Sequence, residues 1–274
     1  MKAIKLILLG VSLFSILPLG AQVFDKPRSL AEADSLDRVQ YRVLYQLDFI
    51  SDPTDREYVT QDQVRLDIGT QISKVYSLKH YQADSAATPL IDTGQFPRKI
   101  VTDVVPPMIL YRGYPKTQDI TTDYRLPAGA PVMSYVEPKP TLQWQVKPEK
   151  REILGHSCQR AEVSFGGRQW IAWFTSEIPL SEGPYKFGGL PGLILEVADS
   201  EGDYRYTCIG IANLSAGENI VRWKWNQRPT TRKELEKIIV QLYANPEQAI
   251  KALGGRMGFK GDPMLNLPYN PIEK

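Results

Sequence analysis

The residues with the most chemical potential stand between Arg168 and Asp199. Arg168, Glu177, Tyr185 and Lys186, with Asp199 further along, supply carboxylates, two cations and a phenol. Gathered in one cleft they could run a hydrolysis by general acid–base catalysis, because burial and neighbouring charge tune a carboxylate to that task. Left in water, the same groups are ordinary ion pairs. The stretch around them, Gly183–Ile194, reads GPYKFGGLPGLI, and six of its first ten residues are Gly or Pro. It also holds Tyr185, Phe187, Leu190, Leu193 and Ile194, which is too apolar for a solvated loop. Pro191-Gly192 suits the centre of a type II turn, and Gly188-Gly189 lets backbone pass close to another strand or to a ligand. Two roles stay open. The segment is a buried plug at one end of a sheet, or it is a recognition loop. In the second role Phe187, Leu190, Pro191 and Leu193 meet an apolar ligand or partner beside Arg168, Trp173, Thr175, Glu177, Tyr185 and Lys186.

Other local signatures of catalysis are missing. There is no G-x-S-x-G elbow, no H-E-x-x-H and no Gly-rich phosphate loop, so no catalytic residue and no cofactor is expected. The two histidines are His80 and His156. His156-x-Cys158 on a strand would put both side chains on one face, an arrangement suited to a soft metal such as copper. A turn histidine beside a strand cysteine is the favoured account of the pair, and no metal site is expected. A serine using His80 or His156 as its base would assemble only in space and leaves no mark in sequence. Cys158 and Cys208, if bridged, would close a loop of about 50 residues worth roughly 4 kcal/mol. The other reading is two separate buried thiols. Asn213-Leu214-Ser215 fits the N-glycosylation pattern.

The 274 residues are 42% hydrophobic and 23% charged, the balance of a globular domain rather than a disordered chain. Met1–Ala21 reads as a secretory signal: Lys2 and Lys5, an apolar run from Leu6 to Leu19, then Gly20-Ala21 before Gln22. That run is shorter than the roughly 20 residues of a spanning helix. Cleavage is therefore expected, leaving residues 22–274 as one exported domain without a transmembrane segment, in the periplasm, at the outer membrane or released. The chain carries 33 basic and 31 acidic residues, and loss of Lys2 and Lys5 makes the mature part neutral. A neutral chain without a basic run has no electrostatic case for nucleic acid or for anionic lipid.

Strands must position most of these residues. Ser29 with Glu32 makes a capping-box pattern and predicts an N-terminal helix that buries Leu30, Leu36 and Val39. Period two takes over at Tyr41–Phe49, with further strands at 64–68, 72–77, 101–111 and 122–126. The polar stretch 81–97 reads as a surface loop, and the prolines from Pro127 to Pro140 mark a loop or a sheet edge. Ala161–Phe165, Gly166-Gly167 and Arg168–Thr175 predict a hairpin whose return strand is covered on both faces. A second hairpin joins Leu193–Ala198 to Tyr204–Ile211 through the turn 200–203, and Ile220–Asn226 is one more strand. Thr231 with Glu234 caps a helix presenting Leu235, Ile238, Ile239 and Leu242, and Asn245-Pro246 opens a shorter one. A helical pair thus spans 232–253, and 256–274 is an irregular tail.

Several motifs recur together here: Cys158, Gly167-Arg168, Ala172-Trp173-Phe174-Thr175, Glu177-Ile178-Pro179, Gly183-Pro184, and the hexapeptide Gly189-Leu190-Pro191-Gly192-Leu193-Ile194. With the closing Tyr269-Asn270-Pro271-Ile272-Glu273, they make the stretch from Trp144 to Ile211 resemble the GLPGLI family of exported Bacteroidetes proteins. The resemblance implies a Gram-negative envelope protein and brings no established activity with it. Cys208 falls outside the motif positions, which weakens the case for a disulfide.

The expected fold is α+β, mainly β: a large curved antiparallel sheet of roughly nine to eleven strands, an N-terminal helix, and a C-terminal helical pair on one face. The expected function is a non-enzymatic binding or accessory role, taking a small apolar ligand, a peptide or an envelope protein partner. A hydrolase built on Glu177, Arg168, Tyr185 and Lys186 is the alternative.

Overall fold

Alternation of apolar and polar residues sets up the strands, and hydrogen bonding between them builds one long sheet. The computed structural model describes residues 26–95, 106–127, 129–214, 217–254 and 269–274. The expected signal (1–21), the start of the 101–111 strand, Ser215 of the acceptor pattern and positions 256–268 of the tail lie outside the described residues.

The strands in chain order are β1 (Ala33–Arg38), β2 (Tyr41–Phe49), β3 (Thr60–Ile68), β4 (Ser73–Ser77), β5 (Met108–Arg112), β6 (Asp119–Arg125), β7 (Val132–Pro138), β8 (Gln145–Ile153), β9 (His156–Phe165), β10 (Arg168–Thr175), β11 (Leu193–Asp199), β12 (Tyr204–Asn213), β13 (Asn219–Trp223) and β14 (Gln227–Pro229). The helices are α1 (Leu78–Asp92), α2 (Arg232–Ala244) and α3 (Pro246–Ala252). Among the described residues, twelve strands form one sheet in the order β14-β7-β6-β5-β4-β3-β2-β12-β11-β10-β9-β8, and β1 pairs with β13 in a separate ribbon. The order amounts to two meanders, β2–β7 and β8–β12, joined where β12 pairs with β2. Every pairing is antiparallel except β14 with β7. Thus the mainly-β α+β class holds, with one more strand in the sheet than expected and one parallel pair. The free edge β8 carries Lys147, Pro148, Glu149 and Lys150, the charges and proline that discourage further strand addition.

The sheet curls so that one face becomes the interior. Val43, Tyr45, Leu47 and Phe49 of β2 share a core with Leu110 of β5, Ala161 of β9 and Trp170 of β10. Several bonds tie the halves across this interior: Tyr45 donates its hydroxyl to the Ile194 carbonyl at 2.7 Å, Arg112 Nη1 donates to the Phe187 carbonyl at 2.8 Å, and Arg112 Nη2 pairs with Glu182. Helix α2 begins at the expected capping box, Thr231 and Glu234 satisfying each other's backbone N–H. It buries Leu235, Ile239 and Leu242 against Tyr124, Met133 and Tyr135, each side chain contributing about 2 kcal/mol. Pro246 stands at the first position of α3, as expected.

Two expectations change. The residues after Ser29 lead into strand β1 rather than a helix; the helix of the N-terminal part is α1, which overlaps the 81–97 stretch that read as a surface loop. The Ser29 hydroxyl donates to Asp92 at 2.7 Å and accepts from the Ala31 N–H at 3.2 Å, so it caps no helix. Pairing with β13 satisfies the β1 backbone instead, and Leu30 and Leu36 pack beside Tyr76, Tyr111 and Trp223. Helix α1 is capped by Ser77 and has no apolar stripe; its buried residues are His80, Asp84 and Ala87. A buried ion pair holds it, Arg125 gripping Asp84 through Nη1 at 2.5 Å and Nη2 at 3.0 Å. Helical periodicity cannot reveal a helix docked by charge. With α1 on the outer face, β3 and β4 are buried on both sides.

Smaller differences have equally local causes. The proline-rich 127–140 stretch contains β7, one strand in from the edge, with only the three-residue β14 beyond it. Gln145–Ile153, which carries no strand pattern, pairs with β9 through a bulge between Val146 and Lys150. Strand β10 is buried on its Trp170, Ala172, Phe174 face, whereas Ile171 and Trp173 opposite are half-exposed. Cys158 and Cys208 are free buried thiols, so the bridge between them is not formed. Burial pushes both thiols up to about 11, which leaves neither as a reactive thiolate.

Candidate functional site

The Gly/Pro segment supplies both a plug and part of a cavity wall. Phe187, Leu190 and Leu193 are at most 2% exposed and belong to the core, where Phe187 packs edge-on against Trp170 with centroids 4.7 Å apart. Gly192 has φ +151, and a Cβ there would sit 2.0 Å from the Thr175 carbonyl oxygen, so only glycine fits. The close approach at Gly188 is to its own chain, through an antiparallel bridge with Glu182. Pro191 is exposed at the turn. Tyr185 and Lys186, by contrast, turn toward a cavity.

That cavity, of about 360 Å³, lies between the inner sheet face and α2. Phe49, Val64, Leu110 and Tyr124 form its sheet wall, with Leu235 and Ile239 on the helix side. Residues Pro271–Lys274 of the tail close another side, along with Tyr185, Lys186 and Arg232. The plug packs against β9 and β10, and the cavity remains over β2–β7, bordered by Tyr204 and Tyr206 of β12.

At the polar end of the cavity three donors converge on one carboxylate. Glu273 Oε1 accepts from Lys186 Nζ at 2.6 Å and from the Tyr185 hydroxyl, and Glu273 Oε2 pairs with Arg232 Nη2 at 2.6 Å. Burial alone would raise the Glu273 pKa, but the Lys186 ammonium, then the Tyr185 hydroxyl and Arg232, hold it below the usual carboxylate range. Burial likewise works against the Lys186 charge, yet Glu273 and Glu137 hold its pKa above the ordinary lysine value. Glu137 reaches the same ammonium at 2.6 Å and Arg232 at 3.4 Å, and Glu236 pairs with Arg232 at 2.7 Å.

Arg168 anchors the tail from the other side. Its Nη1 donates to Asp199 at 2.6 Å and Asp203 at 2.8 Å; its Nη2 donates to Asn270 Oδ1 at 2.7 Å and to the Pro271 carbonyl at 2.8 Å. The carboxylates of Asp199, Glu201 and Asp203 lie within 4.8 Å of one another, and three cations sit on them: Arg168 across the cluster, Arg56 on Asp203 and Lys274 on Glu201. The turn Gly166-Gly167, with φ of +58° and +74°, makes room for the tail, since a Cβ on Gly166 would lie 2.7 Å from Glu273 Cγ. The Lys274 N–H then donates to the Gly166 carbonyl at 2.7 Å.

The structure therefore divides the residues expected at the site. Arg168, Tyr185 and Lys186 meet through the tail. Glu177 is exposed and bonds instead to His156 Nδ1 at 2.7 Å and to the Ser157 N–H at 3.1 Å. These contacts hold its pKa down, the His156 bond first. Trp173 lies under Arg151, 4.2 Å from guanidinium carbon to ring centroid, and Thr175 accepts from the Glu177 N–H. The set Glu177, Arg168, Tyr185 and Lys186 shares no common partner. Sequence reasoning missed Glu273, Arg232 and Glu137. The tail motif Tyr269–Glu273 was the available signal, but only the fold shows what it binds.

The outer face of the sheet carries a second polar cluster. Lys74, buried beside a cavity of about 320 Å³, donates to the Val221 carbonyl at 2.8 Å and lies 3.3 Å from the Trp223 ring centroid. Burial pushes its pKa down to about 7 against the pull of Asp67 and Asp123. Nearby, Arg42 and Arg65 spend their hydrogen bonds on Asp67 and Glu218. Through Val221 and Glu218 these charges hold β13 and the residue before it onto the sheet.

No curated protein matches the chain. Among the solved structures similar to it are those of PNGF-II in its P21 and C2 crystal forms, with TM-scores of 0.49 and 0.48 at 12% identity. Each match covers 73% of this chain and 32% of the other, so the chain spans about a third of the length of the structures it matches. A family model described as a protein of unknown function, Porph_ging, matches residues 167–196, which run from the Gly-Gly turn under the tail through Lys186 to β11.

Proposed function

We propose that this is an exported envelope protein of the GLPGLI type that binds a small apolar ligand without transforming it. The observation that carries the reading is the cavity of about 360 Å³ between the sheet and α2, walled by aliphatic and aromatic side chains with a few converging polar groups at one end. Small-molecule sites have this form, apolar walls for affinity and a few polar groups for orientation. The signal-like start and the resemblance around Gly189–Ile194 support export to the periplasm or outer membrane. Among the described residues no helix is long and apolar enough to cross a membrane.

The test uses N-phenyl-1-naphthylamine, a neutral apolar fluorophore. The reading expects saturable one-to-one enhancement with the wild type and at least a tenfold weaker response with Leu235→Trp or Ile239→Trp, which fill the cavity from α2. Unchanged circular dichroism confirms that the variants fold. A folded wild type that leaves the probe dark, or a filled cavity that binds it equally well, ends the reading.

A further inference from the structure

Glu273 occupies a built carboxylate site. Its two oxygens take a phenol, an ammonium and a guanidinium, from Tyr185, Lys186 and Arg232. The Lys186 and Glu273 side chains are only 3% and 6% exposed, so this is not a surface pair. All three donors and Glu273 itself line the apolar cavity. Glu137 and Glu236 balance the two cations from outside, but the donors aimed at Glu273 match a carboxylate, and charge-assisted bonds of this kind are the strong ones.

The surrounding charge decides what kind of ligand head can enter. Two cations, Lys186 and Arg232, face three carboxylates, Glu137, Glu236 and Glu273. An anionic head placed beside this set adds repulsion, whereas one that replaces Glu273 leaves the balance unchanged. The chain of such a ligand would then lie along Leu110, Val64 and Phe49, with Leu235 and Ile239 over it. The tail segment 269–274 can yield at this point, since it is irregular backbone held by side-chain bonds and a single backbone bond at Lys274 rather than by a strand ladder.

We propose that the cavity takes a single-chain alkyl carboxylate, and that its head displaces Glu273 from the cradle of Tyr185, Lys186 and Arg232. The tail glutamate is thus a resident competitor that the ligand must replace. This inference rests on the apolar-ligand reading above and specifies the head group and the competition.

The experiment measures displacement of N-phenyl-1-naphthylamine by dodecanoate, dodecanol and dodecyltrimethylammonium, all below their micellar concentrations, on the wild type and on Glu273→Gln. Removing the competing charge should tighten dodecanoate about tenfold relative to dodecanol, the scale of one charge-assisted hydrogen bond. Lys186→Met in the Glu273→Gln background should abolish that gain, read as the ratio of dodecanoate to dodecanol affinity within the same variant. Amide exchange gives a second readout: dodecanoate should deprotect residues 269–274 of the wild type, and dodecanol should not. Equal shifts for all three heads, or tighter binding of the ammonium, overturn the inference and leave the apolar-ligand reading standing. Failure of every amphiphile and of the fluorophore overturns both. Displacement by a Pro-Ile-Glu-Lys peptide but not by dodecanoate would assign the cradle to peptides and also overturn it.

Discussion

The Lys186 ammonium lies 2.6 Å from the Glu273 carboxylate, although 87 positions separate the two in the chain. This pair fastens the tail to the segment after β10, and Arg168 fastens it again at Asn270 and Pro271. Both anchors belong to the stretch that the family model covers. The stretch thus serves the interior with its apolar residues and the tail with its cations.

Glu273→Gln should lower stability by about 2 kcal/mol at neutral pH, because it removes one partner of a buried charge pair. The folded-state pKa of Glu273 is depressed. Its contribution is therefore complete above the unfolded value near 4.3 and is lost as pH falls through the folded value. Urea titrations at pH 7 and pH 3 should show the gap between wild type and variant shrinking at the lower pH. A gap that stays constant would mean that the carboxylate charge is not what stabilises the tail.

Arg168→Lys should behave as a severe change despite keeping the charge. A lysine ammonium cannot reach Asp199, Asp203, Asn270 and the Pro271 carbonyl at once, and about 3 kcal/mol should be lost as buried acceptors go unpaired. Denaturation in guanidinium chloride measures this. Wild-type stability in the lysine variant would show that the tail is held elsewhere.

The glycines at 189 and 192 make a paired test. Both have positive φ, but a Cβ on Gly189 meets nothing within 4 Å, whereas one on Gly192 runs into the Thr175 carbonyl at 2.0 Å. Gly189→Ala should cost about 1 kcal/mol from backbone strain alone. Gly192→Ala should cost several-fold more or prevent folding, read from thermal melts of the two proteins side by side. Similar melting temperatures would contradict the close approach.

Cys158 and Cys208 should resist an aromatic disulfide reagent in the native protein at pH 8, since burial raises both thiols to about 11. Both should react once guanidinium unfolds the chain without reductant. Zero titratable thiols after unfolding would show that a bridge had formed.

The sequence alone determined which residues face inward on β2 and β9, where the two hairpins turn, and where α2 starts. Those features depend on neighbours within a few positions: alternation, Gly166-Gly167, and the Thr231 and Glu234 capping box. Its local rules fail at Ser29–Val39, where a capping pattern yields to pairing with β13, and at α1, whose docking depends on Asp84 finding Arg125. The interior role of Phe187 and Leu190 was one of two roles their apolar character allowed; the curl of the sheet chose it. Only the tertiary structure decided that Lys186 meets Glu273 and that Glu177 meets His156. Charged side chains carry no periodic signal for their partners, and strand order and sheet curvature bring distant segments within hydrogen-bond range.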